Sequence, residues 1–113
     1  MRSGIALYND GKFPDAAGQF EDILRTDSVN PAALLDAGIV SLRMKNYDKA
    51  LNYFIKLQNH TDPRVSPALF YQALALMGRN RTGDSDLAKQ RLMRIVREDL
   101  NMKEDARELL GKL

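Results

Sequence analysis

The chain has 113 residues, enough for one domain with a continuous core, and its 44% apolar and 28% charged residues are ordinary for a folded protein. A formal net charge of +2 gives no strong field for nucleic acid or for a membrane surface. The sequence has no cysteine and no apolar run near the roughly 20 residues that cross a bilayer, so we expect a soluble segment without disulfides, thiolate chemistry or membrane contact.

Apolar residues recur at helical spacing along the chain and predict seven helices and no strand. The first, around Ile5–Leu7, ends at the turn-forming run Asn9–Gly11. The second extends from Phe13 to Arg25, with Pro14 in its first turn. Further breaks in the pattern separate helices predicted at 31–44, 47–59 and 68–77. Two more follow: one begins after a cap at Asp84 or Ser85, and the last is an amphipathic helix at 103–110.

The helices repeat in pairs. Residues thirty-four positions apart match in type: Gly4, Phe13, Ala16, Phe20 and Ile23 recur as Gly38, Tyr47, Ala50, Phe54 and Leu57. In the third pair an insertion within 78–84 displaces the second helix by four residues, so that its matching residues are Ala88, Leu92 and Ile95. One helix–turn–helix unit cannot bury its apolar face alone, so this period predicts a stack of such units.

The period and the residue types resemble the tetratricopeptide repeat (TPR) over about residues 1–97. The resemblance implies an all-α fold, a right-handed α-solenoid of three helix–turn–helix repeats at about 1–30, 31–64 and 65–100, with a C-terminal capping helix at about 102–112, all in one domain spanning 1–113. In the second repeat Gly38 and Ala50 are small where the two helices cross, and Phe54 fills the wedge before the third. In the third repeat Gln72 stands where the family has glycine.

The first repeat is short of the family pattern at its start. Its first helix would begin several residues before Met1 in the family's register. We therefore expect the chain to belong to a longer protein or to begin with a damaged repeat.

Residues for catalysis are scarce. The single histidine, His60, stands in a predicted turn beside Thr61 and Asp62, and adjacent turn residues do not converge on one reacting atom. No metal-ligand cluster and no phosphate-binding loop is present in the sequence. We expect no enzyme, no cofactor and no bound metal.

A basic set gathers in the third repeat: Arg79, Arg81, Lys89, Arg91, Arg94 and Arg97. Three of the arginines share one helix face at steps of three residues. This strip could contact phosphates or an acidic partner, but no aromatic residue interrupts it for stacking on bases. The favoured interpretation is a solvated outer helix face, and nucleic acid is not expected as a partner.

The resemblance also implies where a partner binds, because the first helix of each TPR unit lines a concave groove. Transferred by register, the groove positions are Ile5, Tyr8, Leu35, Ile39, Leu42, Leu69, Ala73 and Leu76, with Arg43 and Phe70 beside them. So many apolar residues indicate a buried partner, since contiguous exposed apolar patches are rare on monomers. The alternatives are that these residues widen the core, or that upstream helices or a second copy of the chain cover them.

We therefore expect a non-catalytic protein–protein interaction module that holds a peptide or helix of a partner protein in this groove. The alternative is a structural or self-assembly element whose groove is filled by homodimerisation or by adjacent repeats of a longer chain. The chaperone C-terminus is not an expected ligand, because the positions that hold its carboxylate in TPR proteins are here Met1, Ile5, Asp36, Ser66 and Phe70. Composition does not fix the compartment: the cytoplasm is favoured, and a periplasmic part of a longer protein is the alternative.

Overall fold

A computed structural model describes residues 13–113, which form six α-helices and no strand. The helices are α1 (Phe13–Thr26), α2 (Pro31–Arg43), α3 (Tyr47–Asn59), α4 (Ala68–Arg79), α5 (Asp84–Arg97) and α6 (Lys103–Gly111). The predicted all-helical class is confirmed over this range. The predicted helix around Ile5–Leu7 lies outside the described residues.

Local signals account for the start of α2 and the end of α4. The Asn30 Oδ1 accepts a hydrogen bond from the Ala33 backbone N–H at 2.9 Å, and Pro31 opens α2 where a missing N–H costs nothing. Helix α4 continues two residues beyond the predicted end. It stops where Asn80 takes a left-handed conformation, with φ 54°, and donates its backbone N–H to the Leu76 carbonyl.

The start of α5 differs from the prediction. Gly83 is the capping residue, in a left-handed conformation with φ 86° that glycine adopts without strain. Asp84 is therefore the first helical residue, and Ser85 follows inside the helix. The Asp84 side chain is buried and bonds to arginines instead of capping the helix.

From α1 to α6 each helix packs on the next along the chain, and α2 also touches α4. The ring of Phe54 on α3 is fully buried and stacks on Tyr71 of α4, with the ring centroids 5.4 Å apart. A Cβ atom at Gly38 on α2 would overlap the Phe54 ring. The predicted close crossing of α2 and α3, with Phe54 between this pair and the next, is confirmed.

The third pair packs closely without the expected glycine. Leu69, Ala73 and Leu76 of α4 meet apolar residues of α5 in one core cluster with Ala88, Leu92 and Ile95. Gln72, in the glycine's place, is fully buried. The third pair therefore has a buried polar side chain at the position where, in the second pair, the Gly38 backbone contacts the Phe54 ring.

Helix α6 covers the end of this cluster. Its Ala106 is fully buried in the cluster, and Leu109 and Leu110 pack against it, while Glu104 and Arg107 face solvent. The amphipathic division predicted for 103–110 is confirmed.

Candidate interaction surfaces

The predicted groove residues on α2 are only half exposed. Leu35, Ile39 and Leu42 pack against the cluster formed by Ala50, Phe54 and Ala75. Their large side chains thus belong in part to the core, as the alternative interpretation of the sequence proposed. Ile5 and Tyr8, the groove positions of the first repeat, lie outside the described residues.

The predicted groove residues on α4 are buried, which corrects the prediction of an open row. Leu69 is 4% exposed, Ala73 0% and Leu76 2%. The physical reason is that these three side chains face α5 and α6, whose apolar residues share their cluster. Leu35 and Leu69 are matched by the thirty-four-residue step, yet only Leu35 keeps an appreciable exposed surface.

The two flanking residues also differ. Arg43 is exposed at the end of α2. Phe70 is half-buried and meets Tyr71 edge-on, with the ring planes at 80° and the centroids 5.7 Å apart.

Leu35 lines an apolar recess where α2 and α4 begin. The recess has a volume of about 250 Å³ and is lined chiefly by Pro31, Ala32, Leu35, Leu57, Val65 and Pro67. Val65, in the loop before α4, is 73% exposed. Sequence reasoning missed Val65 because a loop residue has no helical register that could place it.

A second recess, which we call the arginine recess, lies between α3 and α5. It has a volume of about 490 Å³ and is lined chiefly by Gln58, Leu69, Arg91, Met93, Arg94 and Arg97. Arg94 pairs with Glu98 at 3.1 Å, and Arg97 lies 3.6 Å from the same carboxylate. Arg91 has no ion pair with any carboxylate of residues 13–113.

A buried amide holds Arg91. The Gln72 Nε2 donates to the Phe54 carbonyl at 3.3 Å and to the Gln58 Oε1 at 2.7 Å, and the Gln72 Oε1 accepts from the Arg91 Nε at 3.0 Å. Over residues 13–113 no buried side-chain nitrogen or oxygen lacks a hydrogen-bond partner. The only sequence signal for this network is a glutamine at a position where the repeat pattern has glycine.

The other arginines of the basic set form a structural cluster. Arg79 donates to both oxygens of buried Asp84 at 2.9 Å and to Asp48 of α3 at 2.8 Å. Arg81 donates its backbone N–H to Asp84 and its guanidinium to Asp48. The Arg79 hydrogen bond, followed by the backbone donor of Arg81, lowers the pKa of Asp84 to about 2. These charges are compensated internally and tie α3, α4 and α5 together.

The turn after α3 does not assemble a reaction centre. The Thr61 hydroxyl donates to the Leu57 carbonyl, Asp62 accepts from Arg64, and His60 is exposed. Within residues 13–113 no group of three or more acidic or histidine side chains is arranged to hold a metal ion. In the same range each helix is too short or too polar to cross a bilayer.

No protein-family model and no curated protein matches the chain. Function is therefore inferred from the side chains that the fold leaves at its surface.

Proposed function

We propose that the chain is a non-catalytic protein–protein interaction module of the TPR type, a right-handed α-solenoid in which helix pairs stack and α6 caps the end. The pairwise packing of successive helices and the contact of α2 with α4 support this arrangement. Its partner is a peptide or helix of another protein that covers apolar surface.

The observation that carries the proposal is the apolar recess at the start of α2 and α4. Val65 is 73% exposed beside Leu35 and two prolines, so a partner side chain placed there removes apolar surface from water on both molecules. The proposal therefore keeps Leu35 from the predicted groove. The buried row on α4 takes no part in it.

Val65→Glu tests this site with little cost to the fold, because the side chain is already mostly in water. The tagged full chain serves as bait in an extract of its source cells, and captured proteins are then purified and measured by calorimetry. We expect a partner that the wild-type chain binds and that Val65→Glu binds at least about tenfold more weakly, since a charge then enters an apolar contact.

Leu87→Glu is the matched control, since Leu87 is an exposed apolar residue of α5, a helix that contributes no lining residue to the recess. It should leave partner binding unchanged. Equal binding by the wild type and Val65→Glu would remove the recess from the function. Sedimentation at high concentration addresses the self-assembly alternative: a dimer that Val65→Glu dissociates would favour it.

A further inference from the structure

Arg91 has an unusual environment for a surface arginine. Its side chain is half-buried, its Nε is bonded to the fully buried Gln72, and it has no carboxylate partner among residues 13–113. Because Gln72 uses only the Nε, the two terminal NH2 groups of the guanidinium remain as donors at the arginine recess. A buried amide thus fixes a cation whose charge no described side chain neutralises.

We propose that the arginine recess binds an acidic peptide segment of a partner protein, with a carboxylate on Arg91 and a neighbouring apolar side chain against Met93. Of the three arginines of the recess, Arg94 and Arg97 pair with Glu98 and Arg91 with no carboxylate of residues 13–113, which leaves a local formal charge of +2. A planar guanidinium held in one orientation suits the two oxygens of a carboxylate, and less of its rotamer freedom is lost on binding.

Shape and composition favour a peptide over a nucleic acid. The arginine recess holds about 490 Å³, the size of a pocket for a few side chains, and among residues 13–113 no aromatic side chain lines it for base stacking. Met93 is 53% exposed and provides an apolar contact that a phosphate backbone does not use. Two other members of the basic set, Arg79 and Arg81, are already paired with Asp84 and Asp48.

An equivalent recess between α1 and α3 provides an internal comparison. It has a volume of about 240 Å³, and its lining includes Leu24, Tyr53 and Lys56. The thirty-four-residue step matches Leu24 to Gln58, and the longer step of the third pair matches Tyr53 to Arg91 and Lys56 to Arg94. Glu21 also lines this recess and pairs with Lys49 at 2.6 Å. The repeat geometry therefore forms a recess in each place, but the two differ in charge. The arginine recess has three arginines and pairs two of them with Glu98, whereas the first recess has Arg25, paired with Asp22, and Lys56.

The test uses the full chain and a fluorescein-labelled, end-capped peptide, Gly-Glu-Leu-Glu-Leu-Gly, followed by fluorescence anisotropy at low ionic strength. We expect saturable binding that weakens with added salt, and none by the peptide with Gln in place of Glu. Arg91→Met keeps the apolar stem and should weaken binding at least about tenfold, as expected when a charged hydrogen-bonded partner is lost.

Arg107→Met removes the same charge from an exposed place on α6. It should change the peptide affinity by less than about twofold, because it affects the peptide only through long-range electrostatic attraction. Arg91→Lys should also bind weakly, since an ammonium lacks the guanidinium fork. Equal losses of peptide affinity in Arg91→Met and Arg107→Met would overturn the proposal, as would wild-type peptide affinity in Arg91→Lys.

Three further measurements locate the site and separate the peptide proposal from its alternatives. Amide chemical shifts of the wild-type chain should change with the peptide around Gln58 and Arg91, and changes centred elsewhere would contradict the assignment. Polyuridylate that binds through Arg91 while the peptide does not would make this a phosphate site and overturn the peptide proposal. Val65→Glu should leave peptide affinity unchanged, because the two recesses share no lining residue, so the two proposals fail separately.

Discussion

At the scale of single residues, two glycines within helices have opposite surroundings. Gly18 is exposed on α1, and a Cβ there would meet nothing within 4 Å. Gly38 is buried on α2, and a Cβ there would overlap the Phe54 ring. At Gly18 the large loss of backbone freedom on folding destabilises the helix with no gain in packing. At Gly38 the same loss is accompanied by close packing against Phe54.

We predict that Gly18→Ala raises the free energy of unfolding by up to about 1 kcal/mol, because alanine is the better helix former and no contact is disturbed. Gly38→Ala should lower it by about 1–3 kcal/mol, because the added methyl group overpacks the crossing of α2 and α3. Urea unfolding of both variants measures the difference. If both substitutions stabilise the chain, the contact between Gly38 and Phe54 is looser than described.

At the scale of elements, the ion cluster around Asp84 joins three helices and makes stability depend on pH. The pKa of Asp84 is held at about 2, below the ordinary 3.8, by the Arg79 hydrogen bond first and the Arg81 backbone second. A depressed folded-state pKa stabilises the folded chain above about pH 4, and this contribution is lost as the pH falls through about 2. Burial raises the pKa of Asp36, which acts with the opposite sign.

We predict that the wild-type chain loses unfolding free energy between about pH 4 and pH 2, and that Asp84→Asn loses less over this interval while being less stable at pH 7. Urea unfolding at several pH values is the measurement. Asp105→Asn removes an exposed carboxylate of α6 and serves as the control. Parallel pH curves for the wild type and Asp84→Asn would show that the Arg79 pair contributes nothing to folding.

Element boundaries were predictable where local chemistry decides them. The bounds 47–59 agree with α3, and the ends of α1 and α2 differ by one residue because helix ends are decided by single hydrogen bonds. The start of α5 was mispredicted because Asp84 is an ordinary capping residue by type. Its side chain is instead drawn to Arg79, a tertiary contact that no local pattern reveals.

At the scale of the whole molecule, α6 closes the apolar cluster shared by α4 and α5. Ala106 is fully buried there, with Leu109 and Leu110 packed beside it. We predict that a chain ending at Asn101 melts at a lower temperature than the full chain and binds more of a hydrophobic dye, because the cluster is then open to water. Scanning calorimetry and dye fluorescence are the measurements.

Ala106→Ser makes a smaller version of the same test, because it places a hydroxyl in the fully buried position without removing the helix. It should lower the melting temperature less than the truncation does. A truncated chain that melts at the temperature of the full chain would contradict the covering role of α6.

The candidate surfaces were harder to predict than the fold. Register placed Leu35 and Leu69 in equivalent positions, but exposure depends on what packs above them, and α5 and α6 cover only the second. Register likewise identified the face with Arg91, Arg94 and Arg97. It could not show that Glu98 pairs with two of them and that Gln72 holds the third.

The hydrogen bonds of Gln72 limit which helix pair can take the place of the third pair in this chain. Its amide links Gln58 and the Phe54 carbonyl of α3 to Arg91 of α5. The third pair is therefore joined to α3 by hydrogen bonds that depend on these particular side chains. Glycine in place of Gln72 would remove the hydrogen-bond partner of the half-buried Gln58 and Arg91 side chains, and a copy of the second pair in place of the third would leave Gln58 without Gln72. Any lengthening of this chain by inserting copies must therefore move Gln58, Gln72 and Arg91 as one unit.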